Sequence, residues 1–473
     1  MAKKNETHTK KQKGGINPYI LVIISFLIVI LIGSVLLIMP FSRTDGKWGN
    51  YVDALFSATS ATCVTGLCTY ADGIGNTLNI FGQFVMVIMI QLGGLGFVTF
   101  LTFFITLFQS KLQFKNRYLL SQMVGSTNFA DVVKFVRRLI LISACFVAGG
   151  TIVGLPVFLT IPHKNFFEVL WNSFFMSASA FNNAGFDLFG STSLIRGMGN
   201  PIIDSMPTWA YYYMCIYVMF LIVSGGISFL VIIDIFAFKK YRSWRAFTKI
   251  VLFTTATLLL SGWVFFTMTE CFHSGGMTVF ETLFQSVTLR TAGFATYNQD
   301  NVSMVGKAFS CLLMFIGGSP LSTAGGIKTT TAFMIALAMF SYFRGKEVSA
   351  FKRTYSTNMI VKAMSLVFIG LFIVLIGYLI IVASENTTDA IENLHLNSEE
   401  NSTIIYEVFS AFGTVGVSTG ITPYLTVWSK IVLCFLMFLG RLGPMTFLQI
   451  FQANLDRKRT LHYQFVEEDF LIG

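Results

Sequence analysis

The sequence predicts an all-α polytopic membrane protein with eight transmembrane helices and four re-entrant pore loops, set in four membrane-loop-membrane repeats with a pseudo-fourfold arrangement. Three observations support this fold class. The 473-residue chain is 54% hydrophobic and 12% charged, with 50 phenylalanines. Long apolar runs alternate with short polar stretches, and one glycine motif recurs four times. A soluble globular fold is excluded by such a composition.

Eight apolar segments are candidates to cross a bilayer, which takes about 20 residues of helix. They are residues 19–39, 77–108, 139–161, 209–238, 250–269, 304–342, 359–383 and 427–451. No small-residue cleavage site follows the first segment, so it is predicted to remain as a helix and not to be removed as a signal peptide. The lysine-rich residues 1–18 form a polar arm before it.

The distribution of basic residues predicts the orientation of the chain. Basic stretches follow every second apolar segment, at residues 111–138, 239–249, 344–353 and 457–459. The opposite side has an acidic stretch at 385–400 and few basic residues, among them Arg43, Lys47 and Lys164. The positive-inside rule then places both termini in the cytoplasm and the loops outside. Because the net charge of +10 is dispersed over these stretches, no nucleic-acid partner is expected.

The four glycine motifs are the candidate site. Their residues are Thr62, Cys63, Val64, Thr65 and Gly66; Asn182, Asn183, Ala184 and Gly185; Arg290, Thr291, Ala292 and Gly293; and Gly413, Thr414, Val415 and Gly416. Each motif lies between two apolar segments and is predicted to be a re-entrant loop, whose backbone must avoid lipid. Rings of carbonyl oxygens can replace the hydration shell of a monovalent cation. A single such glycine is better explained by helix packing, but four copies in one setting favour a shared site.

At these motifs the chain resembles members of the Trk/Ktr/HKT superfamily of potassium transporters, and within it the bacterial KtrB type, over residues 19–453. The resemblance implies a potassium-translocating subunit in a multi-pass plasma-membrane location, with K+ held at the filter carbonyls as the transported ion. It also implies a homodimer, a cytosolic RCK-type ring subunit that carries the nucleotide, and Na+ as an activator. No covalently bound cofactor is expected. A sodium-permeable transporter of the same superfamily is the alternative.

The resemblance divides the chain into four repeats. They are residues 19–108, 109–238 with a preceding cytoplasmic segment, 239–342 with a broken sixth span, and 343–453, flanked by the arm 1–18 and a cytoplasmic tail 454–473.

A second candidate site interrupts the sixth apolar segment. Its residues are Gly317, Gly318, Pro320, Ser322, Thr323, Gly325, Gly326 and Lys328. Proline and glycine disfavour helix, and a lysine at mid-membrane costs roughly 2.5–3.5 kcal/mol to insert. A proline kink alone is the simpler interpretation. The resemblance implies instead an intramembrane gating loop below the filter, in which Leu321 replaces a glycine found in many relatives.

Arg441 joins this predicted gate. It stands where the other repeats have the second residue of a glycine pair, as in Gly93-Gly94, Gly225-Gly226 and Gly317-Gly318. These pairs are predicted to keep the pore open below the filter. A snorkelling arginine is the alternative for Arg441, whereas the resemblance implies that it faces the pore near the gating loop.

No catalytic constellation is visible in the sequence. The seven cysteines lie in or beside apolar runs and are predicted to be buried thiols, and the five histidines form no pair at metal-ligand spacing. A polytopic membrane enzyme would need such a cluster within its spans. A receptor or scaffold would leave the four motifs unexplained. The sequence therefore predicts a transporter and not an enzyme.

Overall fold

The computed structural model describes residues 18–96, 129–161, 165–190, 192–237, 241–272, 276–386 and 400–443. Several predictions fall outside these ranges. They concern the arm before Pro18, the basic residues 111–128, Lys164, Lys239 and Lys240, the acidic residues 387–399 and everything beyond Gly443.

The described chain is almost entirely helical. Its first half contains α1 (Pro18–Ile38), α2 (Tyr51–Cys63), α3 (Ile74–Thr77), α4 (Ile80–Gly94), α5 (Phe129–Phe158), α6 (Phe166–Asn182), α7 (Pro201–Asp204), α8 (Thr208–Gly226) and α9 (Phe229–Ala237). Its second half contains α10 (Ala246–Glu270), α11 (Val279–Thr288), α12 (Met304–Phe315), α13 (Thr329–Phe343), α14 (Thr357–Asn386), α15 (Glu400–Gly413) and α16 (Val427–Leu442). A small antiparallel hairpin, β1 (Ser349–Ala350) and β2 (Arg353–Thr354), lies between α13 and α14.

Four helices are long and apolar enough to cross a membrane among the described residues: Val136–Phe158, Thr208–Gly226, Ala246–Glu270 and Thr357–Glu385. Shorter apolar helices accompany them, at Ile23–Ile38, Ile80–Gly94, Met304–Phe315 and Thr329–Phe343. The outward faces of these helices expose many large apolar side chains, such as Ile32, Ile152 and Phe368. Exposed apolar surface on this scale is what lipid covers, so the chain is an integral membrane protein.

Four buried helices, α2, α6, α11 and α15, each end where a glycine motif lies. Polar residues start two of them: Asn50 accepts a hydrogen bond from Val52 N at 2.9 Å, and Thr278 forms a capping box with Glu281 before α11. The longer apolar helices pack around them, so the carboxyl ends of the four buried helices lie inside the protein.

Two sequence predictions are wrong in detail. Residues 209–238 are not one helix, because α8 ends at Gly226 and α9 begins at Phe229. The thiols are not all buried: Cys145 is exposed, and Cys68, Cys271 and Cys434 are partly exposed. In a chain surrounded by lipid an apolar thiol has little to gain from burial inside the protein, which explains the position of Cys145 on α5.

Candidate functional site

The four motif glycines form a closed ring. A Cβ atom added to the glycine of each of the first three motifs would lie 2.7 Å from a carbonyl oxygen of the next motif, and one added to Gly416 would overlap the first motif. The carbonyl neighbours are Ala184 for Gly66, Ala292 for Gly185, Val415 for Gly293 and Thr65 for Gly416. All four glycines also have positive φ angles, of 106°, 71°, 84° and 89°. Only glycine fits both the conformation and the approach.

The backbone before each glycine has one shape. The residue two positions earlier is left-handed in every motif, although none is a glycine: Val64, Asn183, Thr291 and Thr414 have φ angles of 58°, 59°, 69° and 52°. Such angles are uncommon for these residue types and persist only where neighbouring contacts impose them. The same local conformation therefore turns the chain out of all four buried helices.

Serines at the helix ends fix this turn. Thr65 N, Ala184 N and Val415 N each donate to the carbonyl oxygen of a serine five positions earlier, at 2.8 Å. The serines are Ser60, Ser179 and Ser410, and the hydroxyl groups of the first and third also accept from Gly66 N and Gly416 N at 3.1 Å. The third motif differs, since Ala292 N donates to Thr288 O at 2.9 Å. These serines were not among the predicted site residues, although the same spacing from serine to motif glycine occurs in three motifs.

Several oxygen atoms of the motifs are buried without a hydrogen-bond partner. They are Thr62 Oγ1, Thr65 Oγ1, Asn182 Oδ1 and Thr414 Oγ1. A buried polar atom left unpaired costs about 1–3 kcal/mol. Oxygen atoms left unpaired in three of the four motifs suit a ligand that accepts electron pairs, such as a cation.

A cavity of about 460 Å³ lies over one side of the ring, and Gly66, Gly185, Gly293 and Gly416 all line it. Asp187 lines the same cavity. Its carboxylate accepts hydrogen bonds from Ser193 Oγ at 2.6 Å and from Phe189 N at 3.0 Å. A negative charge is thus held in place at the approach to the ring, and the sequence analysis did not select it.

The glycine pairs allow close packing. A Cβ atom added to Gly93, Gly225 or Gly440 would overlap a backbone carbonyl oxygen. The oxygen belongs to Thr62, Phe181 and Phe412, respectively, and each of these residues stands four positions before a motif glycine. The first glycine of each of these pairs therefore packs against the end of a buried helix, and the role in keeping a path open stays a prediction.

Residues 316–328 interrupt the helix between α12 and α13, as the proline and glycines predict. This intramembrane segment docks into the break between α8 and α9. Ser319 N donates to Gly226 O at 3.2 Å, Thr323 N to Gly225 O at 3.2 Å, and Phe229 N to Leu321 O at 3.0 Å. In a continuous helix these peptide groups would bond to each other along the helix. Here the groups at the break between α8 and α9 bond instead to the intramembrane segment. This is the physical reason that residues 209–238 do not form one helix.

Arg441 reaches across to the intramembrane segment. Its guanidinium donates to the carbonyl oxygens of Thr323 and Gly93. The segment also approaches the motifs directly, since Thr323 Oγ1 donates to Phe181 O at 3.2 Å and Gly325 packs against the Thr414 side chain. Arg441 thus joins α16 to the intramembrane segment and to α4, and it does not snorkel to the surface.

The side chains of Arg290 and Lys328 are turned toward peptide carbonyls. Arg290 is buried and donates through Nη2 to Gly317 O at 3.2 Å and through Nη1 to Thr255 O at 3.4 Å. Its side chain therefore does not join the ring, although its backbone belongs to the third motif. Lys328 Nζ donates to Ala324 O at 2.9 Å within its own segment. The third motif and the intramembrane segment are consequently tied together at Gly317.

The ring, the cavity that it lines and the enclosing apolar helices define a class of membrane protein with a polar site buried among its helices. The profile of the TrkH family, described as cation transport protein, matches residues 1–463. The chain belongs to this family, as the motifs predicted.

Named relatives cover nearly the whole chain. The potassium/sodium uptake protein NtpJ of Enterococcus hirae is 33% identical, over 98% of this chain and 99% of its own length. The Ktr system potassium uptake protein B of Bacillus subtilis is 34% identical, over 91% of this chain and 93% of its own. The crystal structure of the potassium transporter TrkH from Vibrio parahaemolyticus matches with a TM-score of 0.67 at 17% identity, over 94% of this chain and 86% of that one, which shows a shared fold.

Proposed function

We propose that this chain is the potassium-translocating membrane subunit of a Ktr-type uptake system, conducting K+ inward down its electrochemical gradient. The observation that carries this proposal is the closed ring of Gly66, Gly185, Gly293 and Gly416 with unpaired oxygen atoms beside it. The names of two relatives, a potassium/sodium uptake protein and a Ktr system potassium uptake protein, support the choice of ion class.

The four motifs act as a selectivity filter in this proposal. Carbonyl oxygens of residues 62–66, 182–185, 290–293 and 413–416 replace the water around the passing ion. The carboxyl ends of α2, α6, α11 and α15 adjoin the ring and carry the negative end of each helix dipole, which favours a cation. Asp187 raises the local cation concentration in the outer cavity.

The intramembrane segment 316–328 acts as the gate. It contacts the break in α8 and α9, the third motif through Arg290, and the fourth repeat through Arg441. A segment rich in glycine and held by a few hydrogen bonds can exchange one arrangement for another at modest cost. Arg441 and Lys328 also add positive charge close to this segment, which opposes a passing cation until the segment moves.

A sodium-permeable transporter is the second candidate, and the name of the potassium/sodium relative favours considering it. The resemblance associates glycine at all four ring positions with preference for potassium, so this chain is assigned to potassium first. Na+ then acts as an activator and not as the main cargo.

The assembly is proposed to be a homodimer that binds a cytosolic RCK-type ring subunit, with the nucleotide on the ring subunit alone. The word "system" in the names of two relatives supports a complex of more than one subunit. We also place both termini and the basic stretches in the cytoplasm, with the ring cavity facing outside. The chain is divided in this proposal into four repeats, which begin at residues 19, 109, 239 and 343.

The test is rubidium and sodium uptake in a cell that lacks its own potassium transport, with and without a candidate ring subunit. Rubidium uptake above the empty-vector control, exceeding sodium uptake, supports the proposal. Purified chain alone in proteoliposomes separates transport from a receptor or scaffold role, because only a transporter moves rubidium without any other protein. No flux in either system, with protein present in the membrane, rejects the proposed function.

A further inference from the structure

A groove of about 790 Å³ opens between the amino-terminal parts of α10 and α14 and the side of α13, next to the hairpin β1–β2. Its walls are largely apolar and include Phe247, Met334, Met359 and Leu366. Arg353 and Lys362, both exposed, line it as well. The groove therefore combines an apolar channel with positive charge.

We propose that this groove binds one anionic phospholipid, with its phosphate on Arg353 and Lys362 and an acyl chain along α13. The groove lies on two helices that are long and apolar enough to cross a membrane, α10 and α14. Large apolar side chains next to it are exposed, among them Phe253, Met359 and Val361, so this surface is suited to contact with lipid. Apolar surface open to a bilayer is covered by lipid chains, and the charge selects which lipid enters. Among the described residues, no carboxylate lines the groove.

The position of the two basic residues fits a headgroup. Both lie near the amino-terminal end of α14, where Arg353 precedes the helix and Lys362 lies in its second turn. Basic residues at the end of a membrane helix attract anionic lipid by about 1 kcal/mol each. Lys346, which precedes the same hairpin, and Lys352, which lies in its turn, do not line the groove. They add positive charge to this end of the protein without contacting the bound lipid.

The bound lipid would also touch the proposed gate. Thr330 and Thr331 line the groove, and they are the second and third residues of α13, which follows the intramembrane segment. Since Thr329 N donates to Gly318 O at 3.1 Å, α13 is tied to that segment at its amino terminus. A lipid packed along α13 therefore stabilises the position of the helix that continues from the gate. This consequence rests on the proposed gating role, whereas the binding itself does not.

Native mass spectrometry of the purified chain, with phosphatidylglycerol and phosphatidylcholine added in turn, measures the binding directly. We expect the native protein to retain one phosphatidylglycerol in preference to phosphatidylcholine. The double variant R353Q/K362Q should bind phosphatidylglycerol about 30-fold more weakly, from about 1 kcal/mol for each basic residue. The matched control K346Q/K352Q removes the same charge from outside the groove and should weaken binding much less, because neither lysine contacts the bound lipid.

A second variant tests the contribution of the groove's shape separately from that of its positive charge. M359W places a bulky ring in the groove and keeps both cations, so it should also reduce retention of phosphatidylglycerol, and it keeps the test informative if the double variant does not fold. Equal binding of the two lipids by the native protein, or equal losses in R353Q/K362Q and in its control, would overturn the proposal. So would detection of a second copy of the chain seated in the groove by cross-linking at Met359. Rubidium flux is not needed for any of these outcomes, so a failure of the proposed function would be seen separately.

Discussion

Lys430 Nζ lies 3.0 Å from Asp53 Oδ1, so that an ion pair joins α16 to α2. Their side chains are 11% and 21% exposed. The contact of Gly416 with Thr65 joins the fourth glycine motif to the first within the ring. The ion pair therefore joins the helices next to these two motifs, where the ring closes.

The first prediction concerns this closure. K430M leaves the partly buried carboxylate of Asp53 without its cation and should lower the free energy of unfolding by about 1–3 kcal/mol. The double variant D53N/K430M should recover part of the loss, because no charge is then left unpaired. Thermal unfolding in detergent measures both. The control is D45N at the more exposed pair with Arg43, where a smaller change is expected because solvent screens the interaction. Equal effects at the two pairs would contradict the assigned role.

The second prediction concerns the ring. A Cβ on Gly66 would lie 2.7 Å from Ala184 O, so G66S must move that carbonyl and should lower the ratio of rubidium to sodium uptake on the order of tenfold, or about 1.4 kcal/mol. The matched control is G420S. Gly420 also has a positive φ, of 94°, but no atom lies within 4 Å of its added Cβ. An unchanged ratio in G66S at normal expression would exclude Gly66 from the filter.

The third prediction concerns the gate. R441A removes the hydrogen bonds to Thr323 O and Gly93 O, and deletion of residues 321–324 removes the part of the segment bonded to Gly225. Either change should raise rubidium flux about tenfold and weaken its dependence on the ring subunit, with little change in selectivity. R344A, at the far end of α13, is the control and should behave as the native chain does. If R441A and the deletion both reach the membrane and lose transport, the segment is a structural element and not a gate.

The fourth prediction concerns the outer cavity. D187N removes the negative charge above the ring and should raise the rubidium concentration for half-maximal uptake about threefold at low ionic strength. Added choline chloride should shrink this difference, because salt screens the interaction. D72N changes a nearby exposed carboxylate that does not line the cavity, and it should have a smaller effect. A difference that salt does not alter would indicate a change of shape and not of charge.

The fifth prediction concerns orientation. On a background without native cysteines, K47C should react with an impermeant thiol reagent on intact cells. K352C should react only after permeabilisation, because the basic hairpin is assigned to the cytoplasm. Both positions are exposed, so access to the thiol is not limited by packing. The reverse pattern would invert the proposed topology, while the ring geometry would stand.

Much of this arrangement is readable in the sequence. The membrane class follows from composition, and the helix interruption at residues 316–328 follows from Pro320 and its glycines, since local backbone preferences act without regard to distant partners. The four glycine motifs are visible for the same reason. A position that requires a positive φ and close packing requires glycine, and this requirement is visible at that single position of the sequence.

Contacts between distant segments were decided only by the tertiary structure. The sequence does not show that Gly66 meets Ala184 and Gly416 meets Thr65, nor that α8 breaks to receive Ser319 and Thr323, because each of these requires a partner about 100 or more residues away. The sequence also does not show that the side chain of Arg290 turns from the ring toward Gly317, because this contact depends on the tertiary fold. A buried peptide carbonyl or guanidinium must form a hydrogen bond with whichever group the fold brings close to it. The local sequence does not specify which segment supplies that group.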